Sequence, residues 1–381
     1  MALDVSGLAV LGGGGRRRLL EHFPWPVAGL VVAISALGVW NLASASRSAH
    51  APVWIPQLGW MGVGVFLALA VAMVDYRVFL RLAYVFYGVV ILLLLAVLVK
   101  GRVVMGARRW LTVGPVNFQP AELAKIAVMM AVARWFHRDA EKEAGRTRRG
   151  YGLLGVAVPA GMTLLPAALI LRQPDLGTAL IVASIGFTMI LFAGVRWRAV
   201  ALAAGAAVLA AVLALPHLKP YQRRRLESFL NPEGDVLGAG YHATQSMIAV
   251  GSGQGFGKGW GQGTQTLLSF LPEQHTDFIF SVWAEERGFL GCLVLLGLYY
   301  ALVGSVLSMA GTARDRFGFL LGAGVAAMLF WHTFVNMGMV VGLLPVVGVT
   351  LPLLSYGGSS VMATFVALGL AASVSMRRFV N

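Results

Sequence analysis

Charge is what this sequence has least of. Only 12% of its 381 residues are Asp, Glu, Lys or Arg, about half the share with which a soluble domain covers its water-facing surface. With 58% apolar residues and a mean hydropathy of +0.77, the composition excludes an ordinary soluble globule. Acidic residues are the scarcer sign, 16 against 30 Lys and Arg, for a net charge of +14. A basic excess can serve nucleic acid, but here the Lys and Arg fall in short clusters between apolar runs. That is the distribution of topology signals and of contacts with anionic membrane lipid, so no nucleic-acid partner is expected. The lone cysteine, Cys292, excludes an internal disulfide and a thiolate metal site, and it reads as a small core residue in an apolar run. The seven histidines fall in no metal-ligand spacing, so no metal site is assigned. The run Gly251-Ser252-Gly253-Gln254-Gly255-Phe256-Gly257-Lys258-Gly259 lacks a nucleotide-loop register, because Ser252 and Gly259 stand where that loop needs Gly and Ser or Thr. It reads as a flexible hinge or a backbone nest for a phosphate.

What the sequence does have is long apolar stretches. A helix needs about 20 apolar residues to cross the hydrocarbon core. Candidate spans lie near 27–45, 57–74, 82–99, 120–136, 151–171, 176–193, 199–215, 280–310, 318–341 and 359–376. The expected fold is an all-α polytopic membrane protein of about ten helices, with a large outward-facing loop between helices 7 and 8. We read residues 1–381 as one integral membrane domain, with a cytoplasmic segment at 1–26. The first span follows Arg16–Arg18 and ends near Ala43-Ser44-Ala45, which imitates a signal-peptide cleavage site. Its apolar core is long for a signal peptide and further spans follow, so it reads as a retained helix. Arg77, Arg81, Arg134, Arg138, Lys142, Arg146, Arg148, Arg149, Arg196, Arg198, Arg314, Arg316, Arg377 and Arg378 then share the side of Arg16–Arg18. By the positive-inside rule both termini are cytoplasmic and segment 216–279 is extracytoplasmic. That segment is polar, rich in glycine and interleaved with Tyr221, Phe229, Tyr241, Trp260 and Phe270. A loop of this length is usually functional or disordered, and the aromatics argue against disorder. Short helices such as 240–250 are expected to fold back and line a cavity.

Charge inside a span needs a reason. Glu122 and Lys125 share a face near the outer end of the fourth span. They read either as a structural ion pair or as a pair lining an outward polar cavity. In Leu271-Pro272-Glu273-Gln274-His275-Thr276-Asp277-Phe278-Ile279-Phe280 a polar cluster meets an apolar run. Asp277 is there either a partly desolvated base, or, with Thr276, a cap for the next helix. His332 in the ninth span reads as an interhelix hydrogen-bonder, and Ser355-Tyr356-Gly357-Gly358-Ser359-Ser360 as a turn of close backbone approach.

In order along the chain, Arg109-Trp110-Leu111, Phe118-Gln119-Pro120-Ala121-Glu122-Leu123-Ala124-Lys125, Gln173-Pro174-Asp175-Leu176-Gly177-Thr178, Gly240-Tyr241-His242-Ala243-Thr244-Gln245-Ser246, the Leu271–Phe280 stretch and Leu351–Ser360 resemble the SEDS family (shape, elongation, division and sporulation). Tyr221-Gln222-Arg223-Arg224-Arg225 and Gly263-Thr264-Gln265 resemble its RodA branch more than its FtsW branch. One departure is Pro56, which precedes Gln57 where the family often has a basic residue; Arg47 or Arg109 would have to replace it.

The resemblance implies a ten-helix glycosyltransferase of the bacterial cytoplasmic membrane, with its active site facing outward. It would polymerise lipid II into peptidoglycan strands during cell elongation, beside a class B penicillin-binding protein. It carries the catalytic carboxylate onto Asp277, with inversion at the anomeric carbon. Supporting or substrate-binding roles are expected for Glu122, Lys125, Arg109, Trp110, Gln119, His275, Thr276, Lys258 and Arg223. No dedicated metal cage is visible, although a divalent ion such as magnesium or manganese would suit a pyrophosphate leaving group. The rival readings are a lipid II flippase and a non-catalytic scaffold for a transpeptidase.

Overall fold

The computed structural model describes residues 22–47, 52–104, 107–113, 116–142, 150–214, 216, 223, 227–229, 239–268, 270 and 273–378. Arg16–Arg18, Arg146, Arg148, Arg149, Arg224, Arg225 and Pro272 lie outside the described residues.

Each expected span is met by a long helix: α1 (Trp25–Ala45), α2 (Trp54–Met73), α3 (Tyr76–Lys100), α4 (Pro120–Lys142), α5 (Leu153–Arg172), α6 (Leu176–Phe192), α7 (Trp197–Ala214), and, after two short helices, α10 (Ile279–Gly311), α11 (Arg316–Val340) and α12 (Gly358–Met376). The short ones are α8 (Ala239–Ser252), matching the expected 240–250, and α9 (Thr264–Leu267). Among the described residues 7 helices are long and apolar enough to cross a membrane by length and composition. The polar member of the bundle, α4, sits inside it and packs against α3, α6 and α11, so lipid does not select its composition. Central α11 also packs against α10 and α12, while α12 lies along α2. Three helices begin on a carboxylate that accepts a free backbone N–H: Asp75 from Arg77 at 2.9 Å, Asp175 from Thr178 at 3.1 Å and Asp315 from Gly318 at 2.8 Å. With so few acidic residues in the chain, this use of three as N-caps fixes where α3, α6 and α11 start.

Three findings differ from a plain helical bundle. First, the segment between α3 and α4 folds as an antiparallel sheet, β1 (Arg102–Val104), β2 (Ala107–Val113) and β3 (Val116–Phe118), in the order β1-β2-β3. Second, α10 is broken at Gly288, whose φ of 63° and ψ of −164° lie outside helical space. The glycine-rich run splints the break. The N–H groups of Lys258 and Gly259 donate to the carbonyls of Glu285 and Glu286 at 3.0 and 3.1 Å, and those of Phe289 and Leu290 donate to Gln254 and Gly255 at 2.8 and 3.1 Å. Backbone groups that a break would strand in an apolar setting are thus paired. A side chain at Gly288 would meet the backbone N of Gly257 at 2.3 Å, which explains glycine on both strands of the splint. With these donors spent on helix carbonyls, the run is a structural splice rather than a phosphate nest.

Third, the uncharged segment 343–357 is more than an exposed outer loop. Val347, Val349, Leu351, Leu353 and Leu354 are all buried in the core. Irregular backbone at such depth survives where protein surrounds it. A Cβ on Gly177 of α6 would meet the Val347 carbonyl at 2.7 Å, so the helix admits this backbone because it offers no side chain there.

Candidate active site

Pro120 opens α4, and Glu122 in its first turn faces the favourable end of the helix dipole. One turn on, the Lys125 ammonium donates to Glu122 Oε2 at 2.8 Å and lies 3.0 Å from His332 Nε2 on α11. An ammonium has no acceptor, so Nε2 must accept. The His332 proton then sits on Nδ1, 3.1 Å from the Thr350 carbonyl. The two charged side chains are 2% and 8% exposed. The pair is therefore sealed between α4, α11 and segment 343–357 in this arrangement instead of lining an open cavity.

Around the N-terminus of α6 lies the next group. Arg109 on β2 donates to the Pro174 carbonyl, and Gln119 donates to Asp175 Oδ2 at 3.1 Å. Asp175 caps α6 with its other oxygen. The half-buried Trp110 neighbours Arg109 on β2 and pairs with Arg102 across the sheet. Sheet and helix start are thus tied to one turn, 173–175.

Asp277 stands just before α10. The N-cap position of that helix is Phe278, whose own side chain makes no capping bond. A Cβ on Gly348 would lie 3.1 Å from Asp277 Oδ2, and Gly348 has a φ of 73°; space and conformation both demand glycine there. The backbone on either side of the carboxylate is pinned. The Thr276 carbonyl accepts from Ser355 Oγ at 2.6 Å, the His275 carbonyl from Tyr356 N at 2.9 Å and the Asp277 carbonyl from Asn336 Nδ2 at 2.8 Å. Thr276 Oγ1 also donates to Glu273 Oε2 at 3.1 Å. Gln57, fully buried, holds the far end of the segment: its Nε2 donates to the Ser355 carbonyl at 2.9 Å and its Oε1 accepts from Gly357 N at 3.3 Å.

Burial pushes the His275 imidazole below its ordinary value, against the opposing pull of Glu273. The neutral ring is favoured by the fold, so its contribution to stability is present above the ordinary value near 6.5 and is lost as pH falls through the lowered one. Between pH 7.5 and 5.5 the native protein should lose more thermal stability than His275→Asn, as read by unfolding midpoints in detergent. Equal losses would mean that this ring does not titrate with folding.

The remaining expected site residues lie elsewhere. Lys258 Nζ donates to Glu285 Oε1 at 2.7 Å and to Thr264 Oγ1 at 2.9 Å, beside the α10 splice. The exposed Arg223 pairs with Glu227 at 2.8 Å. Sequence reasoning passed over Asp175, Asn336 and the buried Glu285 and Glu286. Two adjacent carboxylates in a predicted span were a signal by the cost of intramembrane charge. Glu285 is held by Lys258, Thr264 and Gln265 N, and Glu286 by Ser44 of α1 and Gly261 N. Among the described residues no three His, Cys, Asp or Glu side chains come together as metal ligands.

Residues 20–379 match the family model FtsW/RodA/SpoVE, described as cell cycle protein. The chain is 42% identical over 327 residues to the peptidoglycan glycosyltransferase MrdB of Escherichia coli K12, covering 84% of this chain and 85% of that one. It is similar to the rod shape determining protein RodA of Thermus thermophilus at 35% identity and a TM-score of 0.70, covering 94% and 98%. A chain of a peptidoglycan synthase complex that coordinates polymerization and crosslinking matches with a TM-score of 0.80 and 37% identity, covering 94% and 99%. With the match running almost from end to end, this multi-pass membrane protein belongs to the FtsW/RodA/SpoVE family, the SEDS family of its sequence motifs, and stands with the RodA branch.

Proposed function

We propose that the chain is a peptidoglycan glycosyltransferase that polymerises lipid II on the outer face of the bacterial cytoplasmic membrane during elongation, with both termini in the cytoplasm. The observation that carries this reading is the Asp277 carboxylate. It is partly exposed, set on a backbone pinned by Ser355, Tyr356 and Asn336, and joined through α11 to the buried Glu122–Lys125 pair. The acceptor sugar hydroxyl is a weak nucleophile. Asp277 removes its proton as the oxygen attacks the donor's anomeric carbon from the face opposite the pyrophosphate. A new glycosidic C–O bond forms, the bond from that carbon to the phosphate oxygen breaks, and the lipid pyrophosphate leaves with inversion. The departing group needs charge stabilisation more than a proton. Arg109, whose guanidinium donates to the Pro174 carbonyl, is the proposed cation for this; Lys258 and Arg223 are ion-paired with Glu285 and Glu227, and the sealed Lys125 acts through Glu122 and His332.

A class B penicillin-binding protein is the proposed partner, in keeping with the synthase complex whose chain this one resembles. The flippase reading draws on the broken helix, a feature of many transporters. At Gly288, however, the freed backbone groups are closed by the chain itself rather than left to coordinate cargo. A pure scaffold would have no use for a carboxylate whose backbone is braced in this way. The test is the purified chain in liposomes with lipid II, with and without the transpeptidase. Glycan polymer is the expected product. Translocated lipid II without polymer would transfer the assignment to a flippase, and neither product would leave the scaffold.

A further inference from the structure

The backbone triplet Gly348-Val349-Thr350 is met by three separate functional groups. Asp277 Oδ2 lies against Gly348. Asn336 Nδ2 donates at 2.6 Å to the Val349 carbonyl and at 2.8 Å to the Asp277 carbonyl. His332 lies 3.1 Å through Nδ1 from the Thr350 carbonyl and 3.0 Å through Nε2 from Lys125. His332 and Asn336 are four residues apart on α11 and share one face, so one rigid helix carries both links. We infer that Asn336 and His332 are positioning residues, which hold the Asp277 carboxylate and the Lys125 ammonium at a fixed separation by gripping the same triplet. This rests on the polymerase reading and adds to it the parts that set its geometry.

The chemistry of the two side chains argues for positioning over mere packing. Only the amide nitrogen of Asn336 can meet two carbonyls, which fixes its orientation. Its Oδ1 is buried with no hydrogen-bond partner among the described residues. An amide with one oxygen stranded in a fully buried site costs stability that an apolar residue of similar size would not. What the amide supplies is a tie between the base-bearing loop and segment 343–357. His332 does the same on the other side: it is the acceptor that Lys125 would otherwise lack for a second N–H, and it passes that contact to the neighbouring carbonyl.

The test uses the full chain in liposomes with its transpeptidase, measuring kcat and KM for lipid II alongside Asp277→Ala. Asn336→Ala and His332→Leu should lower kcat by about 10–100-fold, the scale of a misplacement near 1 Å, with KM nearly constant. His332→Gln keeps an oxygen in reach of Lys125 and should recover most of the loss. Unchanged kcat in folded variants, a loss carried by KM, or no difference between His332→Gln and His332→Leu would each overturn the inference. Should Asn336→Ala fail to fold, the two His332 variants decide. A native chain that makes no glycan, or an Asp277→Ala variant as active as native, would instead bring down the polymerase reading and this inference with it; the first two controls tell the cases apart.

Discussion

Asp277→Asn is expected to lower the rate of glycan polymerisation by about 10²–10⁴-fold, the usual cost of losing a general base. The substitution keeps the shape of the side chain next to Gly348 and leaves the Asn336 contact untouched, because that contact is to the backbone carbonyl. The loss should therefore fall on kcat, with lipid II binding preserved. Asp277→Glu is an informative companion. Its carboxylate is one methylene longer and so is displaced from the place beside Gly348 that the native oxygen occupies. It should retain the pH dependence of a carboxylate base but at a much reduced rate. Polymerisation by Asp277→Asn at the native rate, measured with labelled lipid II at matched protein stability, would remove Asp277 from the chemistry.

Lys125→Met is expected to destabilise the protein by about 3–5 kcal/mol, since it strands the Glu122 carboxylate in a buried site. The side-chain exposures of 2% and 8% leave little water to screen that charge. Replacing both partners, as Glu122→Leu with Lys125→Met, should restore most of the stability, because two apolar side chains need no counter-charge. Activity should not return with it if the ammonium serves the reaction. The comparison separates the two meanings of the pair that its sequence position leaves open. A double variant that is both stable and active would make it a packing device; one that is stable and inactive would make Lys125 part of the machinery. Thermal unfolding in detergent and polymerisation in liposomes are the two measurements.

The helical bundle was legible because apolar length is a strong signal; Asp277, Glu122 and Lys125 stood out because carboxylates and ammoniums are rare in such a chain, but the residues alone left their roles open and only the family resemblance proposed them. The sheet was not. Residues 107–113, with two adjacent arginines ahead of Trp110, show no clean alternation, and the strand exists through its pairing with β1 and β3. Nor was the burial of 343–357 readable: an uncharged stretch between two spans looks like any short loop, and its depth depends on a glycine more than 160 residues earlier in α6. Asn336 fell to the same cause. A single amide in an apolar helix gives no periodic cue, and its meaning lies in two carbonyls brought to it by other parts of the chain. The nucleotide-loop resemblance of the glycine run was rightly set aside on register, but its splinting task could not be seen without the broken helix it repairs.

The break in α10 also sets a height. At 33 residues the helix would be about 50 Å long if straight, well beyond the ~30 Å of a hydrocarbon core. The part after the break, Phe289–Gly311, is about 35 Å by itself and suffices to cross. The part before it, with Glu285 and Glu286, then belongs to the headgroup layer, where two carboxylates are far cheaper to keep than in hydrocarbon. Asp277 lies just ahead of that upper part, which would place it up to about 15 Å above the hydrocarbon boundary if the segment stands upright. A lipid-borne donor keeps its pyrophosphate among the headgroups and holds its sugars beyond them. On the proposed reading, the upper half of a broken helix thus carries the proposed base to the level of the sugar rather than of the phosphate, and the position of one glycine sets the elevation at which strands would be extended.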